Sequence, residues 1–517
     1  MPFLKKISPR RSQVRKNISA ERFSQINRLA NTNFLISILI WMLFVVLCTL
    51  ILSLPEAGYR EVLPTAAIVV LVSVSAAIYI YHYQRKITRN HARALVLVGL
   101  FLLMLVTAKL GVSITGHAFL ATGSAVTVAV ILTIAYDQRF AMGMGMFYCV
   151  LASLAVGMMP DSDPQPTKFN LFLTMAAGVV TCCFCLKEIR TRIKLLKIST
   201  LAAVVVFVTA GATEFLTENR ETTVILRNAG FHAGTTLIVG LLIQSLLPLI
   251  EKSFRIATSM TLLDYSDANQ PLLKRLHMEA PGTFSHSLLI GSIAEAAAES
   301  IGCNGLLCRV GAYYHDVGKI NKAGYFVENE LGSASRHKEL APTMSHLIIV
   351  GHIKDGIEMA KEYGLPTVLR QFIETHHGTT LIEPFYNEAK KLKAKNSKGK
   401  STDVPAESEF RYPGPKPRTK EAAIVMLVDT SESAVRSLAE VTPTKIEAVV
   451  HNMAMKRLRD GQFDECELTL RELSQIEASI SKTLAAHYHG RIAYPKPPDE
   501  PADDEADGKQ VRQTNSK

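Results

Sequence analysis

Cysteine is scarce in this sequence, with eight in 517 residues, and its placement does not suit cross-linking. Five of the eight lie inside long apolar runs, where a thiol behaves as a small apolar side chain: Cys48, Cys149, Cys182, Cys183 and Cys185. The other three, Cys303, Cys308 and Cys466, are scattered and form no Cys-x-x-Cys pair among themselves. This distribution excludes a disulfide framework and argues against a structural zinc site.

Ionisable residues are almost absent from the middle of the apolar runs that fill the first half of the chain. A membrane-spanning helix needs roughly 17–25 apolar residues, and the runs predict eight spans, of which the third and seventh are short: Phe34–Leu54, Val62–Tyr81, Ala94–Lys109, Ala118–Tyr136, Phe140–Met159, Phe169–Leu186, Leu201–Glu214 and Gly230–Ile250. Transporters and proton pumps usually carry charges near the middle of the bilayer. The scarcity of such charges therefore argues against transport.

Lysine and arginine are concentrated in alternate connections between the predicted spans. The first 33 residues carry eight of them, the segment 82–93 carries four, and the segment 187–197 carries five. Cytoplasmic loops are enriched in these residues, so we expect a multi-pass protein of the cell membrane with both termini in the cytoplasm. Much of the net charge of +11 is then a topology signal, and we expect no nucleic-acid polymer as a partner.

The second half of the chain lacks a convincing alternating strand pattern, and its apolar residues recur at helical spacing instead. Thr442-Pro443 is typical of a helix N-terminus, with threonine as the cap and proline at the first helical position. The sequence therefore predicts an all-α fold: a polytopic helical membrane domain followed by an all-helical cytoplasmic domain.

The domain boundaries follow from shifts in composition. We expect a basic N-terminal segment over 1–33, a membrane domain over 34–250, a cytoplasmic domain over 251–494 and a disordered, Pro/Asp/Glu-rich tail over 495–517. Within the cytoplasmic domain, six lysines between 390 and 400 predict a flexible basic insertion at 389–419.

Histidine is concentrated in one window, because seven of the fifteen histidines fall between His286 and His377. Asp429 follows in an apolar helical stretch, where an unpaired carboxylate would be expensive to bury. Imidazole and carboxylate together suit iron, manganese or zinc-like divalent ions, and a pair of ions can activate hydroxide and neutralise phosphoryl oxygens. Seven residues in this order are the candidate metal ligands: His286, His315, Asp316, His352, His376, His377 and Asp429. The histidines outside this set in the same half are better explained as ordinary core residues: His277, His337, His346, His451, His487 and His489.

The residues around these candidates resemble a known family. The segments that carry the resemblance are Ala280-Pro-Gly-Thr-Phe-Ser-His286, Arg309-Val-Gly-Ala-Tyr-Tyr-His315-Asp316-Val-Gly-Lys319, Tyr325-Phe-Val-Glu-Asn329, Gly351-His352-Ile-Lys-Asp-Gly356, Glu374-Thr-His376-His377-Gly378 and Phe410-Arg-Tyr-Pro-Gly-Pro415. They are similar to the HD-domain metal-dependent phosphohydrolases. The likeness is greatest to the branch with a seven-helix membrane region, the cyclic-di-AMP phosphodiesterases of bacteria.

The resemblance implies an activity and a role for each candidate. The seven residues would hold two divalent ions, manganese or iron, with Asp316 as the bridging ligand and Lys319 near the phosphate. A hydroxide activated by both ions would open cyclic-di-AMP to the linear dinucleotide pApA. The family usually has a large extracytoplasmic domain after its first helix, whereas the corresponding link here, Pro55–Glu61, is only a short connection.

Two other functions stay open from the sequence. The same chemistry could act on another nucleotide, such as (p)ppGpp, a cyclic mononucleotide or cyclic-di-GMP. The domain could instead be a non-catalytic membrane receptor or scaffold, although a scaffold has no need of seven converging ligands. The sequence does not fix the oligomeric state, and a homo-oligomer is one alternative.

Overall fold

A computed structural model describes residues 34–53, 59–88, 90–156, 168–186, 191–217, 221–254, 256–330, 336–396 and 405–489. These residues are helical with no strand among them, as the sequence predicts; an isolated antiparallel bridge joins Leu381 and Arg411. The chain divides into two compact units, residues 1–267 with 366–368, and residues 268–365 with 369–517. The predicted N-terminal segment 1–33 and tail 495–517 lie outside the described residues.

Within the first unit, the described residues between 34 and 254 form eight long apolar helices and one short helix. Their bounds are α1 Phe34–Ser53, α2 Tyr59–Tyr83, α3 Arg85–Thr88, α4 His91–Thr115, α5 Phe119–Ala135, α6 Gln138–Val156, α7 Lys168–Cys185, α8 Arg192–Thr217 and α9 Thr222–Phe254. By length and composition six of them, all but α5, α7 and the short α3, are long enough to cross a membrane, while α5 and α7 are shorter apolar helices. Apart from the end residues Ala118, Tyr136 and Leu186, the described part of each predicted span lies in one of these helices.

The helix ends differ most from prediction at the third, seventh and eighth spans. The prediction followed apolar residues alone, but a helix continues through a polar residue whose side chain finds a partner. In α4, Lys109 is buried and its Nζ donates hydrogen bonds of 2.7 Å to the carbonyl oxygens of Ile51 and Leu52. These are carbonyls from the last turn of α1, which lack partners within that helix. Lys109 thus caps α1 and lets α4 run on to Thr115.

A short helix, α10 Ser259–Tyr265, lies in the first unit next to the boundary. The second unit packs nine further helices around one apolar core. Their bounds are α11 Pro271–Glu279, α12 Pro281–Ser300, α13 Gly305–Tyr314, α14 Pro342–Glu362, α15 Thr367–Thr375, α16 Glu383–Asn396, α17 Lys420–Arg436, α18 Pro443–Arg459 and α19 Leu470–His489. The side chain of Thr442 accepts a hydrogen bond from the amide of Lys445 and so caps α18, as predicted. The core is formed mainly by α12, α17, α18 and α19.

The predicted flexible insertion at 389–419 is wrong at both of its ends. Residues up to Asn396 continue helix α16, because lysine is a good helix former and does not by itself end a helix. From residue 405 onward the chain packs against the domain, with Phe410 and Tyr412 buried. Residues 397–404 lie outside the described residues.

Candidate metal centre

The seven predicted ligands converge within the second unit, in two neighbouring groups. Asp316, His352, His376 and His377 form one group, and His286, His315 and Asp429 form the other. Within each group one ligand atom per residue lies within 4.8 Å of every other, and only His377 is not fully buried. Helices α12, α14 and α17 supply His286, His352 and Asp429. The remaining four follow directly on the last residues of α13 and α15.

Three of the histidines are oriented by their own backbone. The Nδ1 atoms of His315, His352 and His376 lie within hydrogen-bond distance of carbonyl oxygens three or four residues earlier in the chain. A carbonyl oxygen can only accept, so each Nδ1 carries a proton, and Nε2 is the atom that can offer a lone pair to a metal when the ring is neutral. Such a bond on the outer nitrogen is the usual support for a metal-bound histidine.

Three inward-facing atoms of the first group lie close together. The Nε2 atoms of His352 and His376 are 3.2 Å apart, and Oδ1 of Asp316 lies 3.5 Å from each. Among the described residues, that buried oxygen accepts no hydrogen bond. When both rings are neutral, three buried acceptors face one another and repel, and a cation relieves the repulsion. The donor set therefore fits a divalent ion.

Asp316 connects the two groups through its two oxygens. Oδ1 faces His352 and His376, whereas Oδ2 lies 3.1 Å from Nε2 of His315. Gly318, two residues after Asp316, makes this arrangement sterically accessible, because a Cβ at this position would lie 1.8 Å from the carbonyl oxygen of His352. Only glycine allows α14 to approach the His315-Asp316 turn so closely.

A further carboxylate, which the sequence did not single out, lies beside the second group. Nε2 of His286 is 3.0 Å from Oδ1 of Asp429, and its Nδ1 is 3.0 Å from Oε2 of Glu432. Glu432 is 2% exposed and lies one turn after Asp429 on α17. The spacing Asp429-x-x-Glu432 was the available signal, since residues three apart lie on one helix face.

Electrostatics favour the deprotonated forms of three members of the first group, His352, His377 and Asp316. Burial lowers the pKa of His352 to about 3 and holds that of His377 well below its ordinary value. Burial raises the pKa of Asp316, but the charges of His315 and Lys319 outweigh it and hold that pKa well below the usual range. At neutral pH these residues therefore offer neutral imidazoles and a carboxylate, the forms that bind metals.

Lys319 lies beside the centre, between two carboxylates. Its Nζ is 2.7 Å from Oδ2 of Asp316 and 2.7 Å from Oε1 of Glu328. Burial lowers the pKa of Lys319, but the charges of Asp316 and Glu328 outweigh burial and raise it. Glu328 also accepts a hydrogen bond of 3.1 Å from the hydroxyl of Thr283. Lys319 therefore forms ion pairs with both carboxylates, and we interpret it as a residue that positions Asp316.

Tyr412 forms one wall of the centre. Its ring stacks on His377, with centroids 4.3 Å apart and planes 23° apart. The amide of Tyr412 donates to the carbonyl oxygen of Thr380, and the amide of Ile382 donates to that of Phe410. This short pairing holds the Arg411-Tyr412 segment beside the histidine pair.

The protonation state of His286 should make metal binding depend on pH. Burial lowers its pKa, but the hydrogen bonds with Asp429 and Glu432 outweigh burial and raise it to about 9, against an opposing effect from Lys319. The protonated ring stabilises the metal-free fold fully below its unfolded pKa of about 6.5, and this contribution is lost as the pH rises through 9. Because a metal needs the neutral ring, we expect affinity for Mn²⁺ to rise at least about tenfold per pH unit between pH 7 and 9.

Isothermal titration of the metal-free chain with Mn²⁺ at several pH values measures this dependence. Glu432→Gln is the matched variant: with one carboxylate fewer, the pKa of His286 falls and the rise in affinity should level off at a lower pH. An affinity that is flat from pH 7 to 9 in the unsubstituted chain would contradict this account of His286.

Two families match the chain over separate regions. The family described as a 7TM receptor with intracellular HD hydrolase matches residues 59–258, and the HD domain matches residues 283–434. The first region contains the seven long helices α2 and α4 to α9, and the second contains all seven predicted ligands. Over these two regions the chain is similar to multi-pass membrane receptors with an intracellular HD hydrolase and to HD domains, which confirms the predicted resemblance.

Two named relatives are similar to part of the chain. The Cyclic-di-AMP phosphodiesterase PgpH of Bacillus subtilis (strain 168) is 43% identical over 276 residues, which are 52% of this chain and 38% of that protein. The protein of the same name from Listeria monocytogenes serotype 1/2a (strain 10403S) is 43% identical over 249 residues, or 48% of this chain and 33% of the relative. The chain thus matches well under half the length of these relatives.

A solved structure also matches part of the chain. The crystal structure of the L. monocytogenes phosphodiesterase PgpH HD domain in complex with cyclic-di-AMP is 43% identical to this chain. It covers 43% of this chain and all of the crystallised chain, with a TM-score of 0.40.

Proposed function

We propose that this chain is an integral-membrane, metal-dependent phosphodiesterase that hydrolyses a cyclic dinucleotide, cyclic-di-AMP, to linear pApA. The observation that carries the proposal is the pair of ligand groups joined by Asp316, whose two oxygens face different groups. The identity to proteins named as cyclic-di-AMP phosphodiesterases supports the choice of substrate.

The ligand roles are part of the proposal. Asp316, His352, His376 and His377 would hold one ion, and His286, His315 and Asp429 the other, with Asp316 shared. Divalent ions in such a site supply Lewis acidity, which neutralises charge on phosphoryl oxygens and activates water. Imidazole-rich sites with carboxylates suit manganese and iron, and we propose one of these as the native metal.

The residues of this chain orient and shield the site. The backbone carbonyls behind His315, His352 and His376 fix which ring nitrogen faces inward. Lys319 holds Oδ2 of Asp316 in place at 2.7 Å. Because the pKa of Lys319 is raised, the residue keeps its proton at neutral pH and does not act as a base.

The membrane arrangement is proposed on sequence grounds. The alternation of lysine and arginine between spans supports cytoplasmic termini in the cell membrane, with the hydrolase domain over about 251–494 on the cytoplasmic side. A cytoplasmic centre would meet a cytoplasmic second messenger without transport across the bilayer.

The substrate proposal predicts a preference that can be measured. The full-length chain, purified in detergent and loaded with Mn²⁺, should cleave cyclic-di-AMP with a kcat/KM at least about tenfold above that for cyclic-di-GMP or cyclic AMP, a difference of about 1.4 kcal/mol in transition-state stabilisation. Chromatography of the products over time gives the rates. A tenfold preference for another nucleotide would transfer the assignment to that nucleotide while leaving the metal chemistry intact.

A further inference from the structure

His377 differs from the other histidines of its group in how its ring is oriented. Backbone carbonyl oxygens orient His352 and His376 at Nδ1, whereas the ring of His377 stacks on Tyr412. The backbone of His377 lies in a short turn, where its carbonyl oxygen accepts hydrogen bonds of 3.2 and 2.8 Å from the amide and hydroxyl of Thr380. The direction of the His377 ring therefore depends on the conformation of this turn and on the position of Tyr412.

A glutamine from a distant part of the sequence holds this turn. Gln462 is buried (0% exposed), and its Oε1 accepts a 2.9 Å hydrogen bond from the amide of Thr379. Its Nε2 donates a 2.9 Å hydrogen bond to the hydroxyl of the same threonine. The backbone of Gly378 has a φ of +52°, and a Cβ there would lie 2.3 Å from Oε1 of Gln462. Glycine therefore lets the carboxamide lie directly against the turn that follows His377.

A second set of contacts joins the same turn to the segment that carries Tyr412. The guanidinium of Arg411 donates a 2.7 Å hydrogen bond to the carbonyl oxygen of Thr379, and it forms a two-point ion pair with Asp460 at 2.9 and 3.1 Å. Oδ2 of Asp460 also accepts a 2.9 Å hydrogen bond from Nε2 of Gln462. The amide and the carbonyl of Thr379 are thus both held, and one network joins the histidine turn to the residue before Tyr412.

We propose that Gln462 is a positioning residue for metal binding, which fixes the turn at Thr379 and so directs the ring of His377 into the first group. This inference rests on the proposed function, because it concerns a proposed metal ligand. Residues that orient a ligand from outside the coordination sphere typically change metal affinity by roughly 10–100-fold. Gln462 acts through the backbone after His377, so we expect an effect at the lower end of that range.

The test is isothermal titration of Mn²⁺ into the metal-free full-length chain in detergent. Gln462→Met has a side chain of similar length without the hydrogen-bonding groups, and it should weaken the binding of one of the two ions about tenfold. In amide hydrogen exchange of this variant without metal, the loss of protection should be greatest at residues 377–380. A folded Gln462→Met chain that binds both ions within about twofold of the unsubstituted affinity would overturn the proposal.

Thr379→Val tests the same contact with less risk to folding. Thr379 is half-buried, and the substitution removes the hydroxyl that accepts from Nε2 of Gln462 while it keeps the amide that donates to Oε1. Loss of this hydrogen bond should weaken Mn²⁺ binding about threefold. Should Gln462→Met fail to fold, an unchanged Mn²⁺ affinity in Thr379→Val would overturn the proposal.

Thr442→Ala is the matched control for lost stability. It removes the cap at the start of α18, and Gln462 follows the other end of this helix, about 25 Å away along its axis. The variant should lower the midpoint of thermal unfolding and leave Mn²⁺ affinity within about twofold. A loss of affinity in Thr442→Ala equal to that in Gln462→Met would assign the effect to stability and overturn the proposal. Absence of Mn²⁺ binding by the unsubstituted chain would contradict the proposed function, and this inference with it.

Discussion

Asp316→Asn should leave a folded protein that has lost nearly all of its hydrolytic activity. The change is isosteric, but it removes the charge that faces His352 and His376 through one oxygen and His315 through the other. Loss of a shared metal ligand removes several kcal/mol of transition-state stabilisation, which corresponds to a fall in kcat of at least about 10³-fold. Metal content should fall below the value of the unsubstituted chain.

Asp355→Asn is the matched control for this variant. Asp355 lies on α14 next to the centre in sequence, but its nearest ion-pair partner, Lys322, is 3.9 Å away. We expect its metal content and turnover to stay close to those of the unsubstituted chain. Elemental analysis and initial rates of hydrolysis on both proteins test whether Asp316 is a shared ligand. Full metal content with normal turnover in Asp316→Asn would rule this out.

Lys319→Met should have the largest effect on stability. It removes the cation that lies 2.7 Å from both Asp316 and Glu328, at a site where the carboxylates are 2% and 10% exposed. Breaking a buried ion pair from one side leaves uncompensated charge and typically costs about 3–5 kcal/mol. In amide hydrogen exchange of the metal-free chain, protection in helices α12 to α14 should fall by roughly two to three and a half powers of ten.

The double variant Lys319→Met with Glu328→Gln separates ion pairing from packing. Removing one of the two carboxylates that have lost their cation should recover at least about 1 kcal/mol of folding free energy relative to Lys319→Met alone. Lys354→Met is the surface control, since Lys354 is largely exposed and lies 4.0 Å from Glu358; it should change protection little. If Lys319→Met behaved like Lys354→Met, Lys319 would not hold Asp316, and a role at the substrate phosphate would regain support.

The membrane helices show what apolar patterning can and cannot predict. Long apolar runs are sufficient to locate all eight helices, because every span must satisfy its backbone internally and remain apolar toward lipid. Their ends depend on single contacts between helices. In the sequence, Lys109 marks the end of a predicted span. In the structure it lies within α4, because the last carbonyl oxygens of α1 accept hydrogen bonds from its ammonium group.

In the metal centre, too, the sequence predicts some residues and not others. Its seven inward-facing residues could be predicted, because few other structures explain so many histidines and carboxylates in this order. The supporting residues could not. In the sequence, Glu432 is one glutamate among several on a helix, and only the structure places it 3.0 Å from His286. Glu328 lies in a short 3-10 helix, and only the structure shows its ion pair with Lys319. Tyr412 lies in a segment that composition alone assigned to a flexible insertion, although its ring stacks on His377.

The central claim is that two metal-ligand groups sharing Asp316 hydrolyse a cyclic dinucleotide. The most direct measurement is the metal content of the purified full-length chain, determined on the same sample as its turnover of cyclic-di-AMP. The account predicts about two transition-metal ions per chain, conversion to the linear dinucleotide, loss of both on chelation, and recovery of both when Mn²⁺ or Fe²⁺ is returned. Undiminished hydrolysis by a chain that chelation has stripped of metal would contradict it.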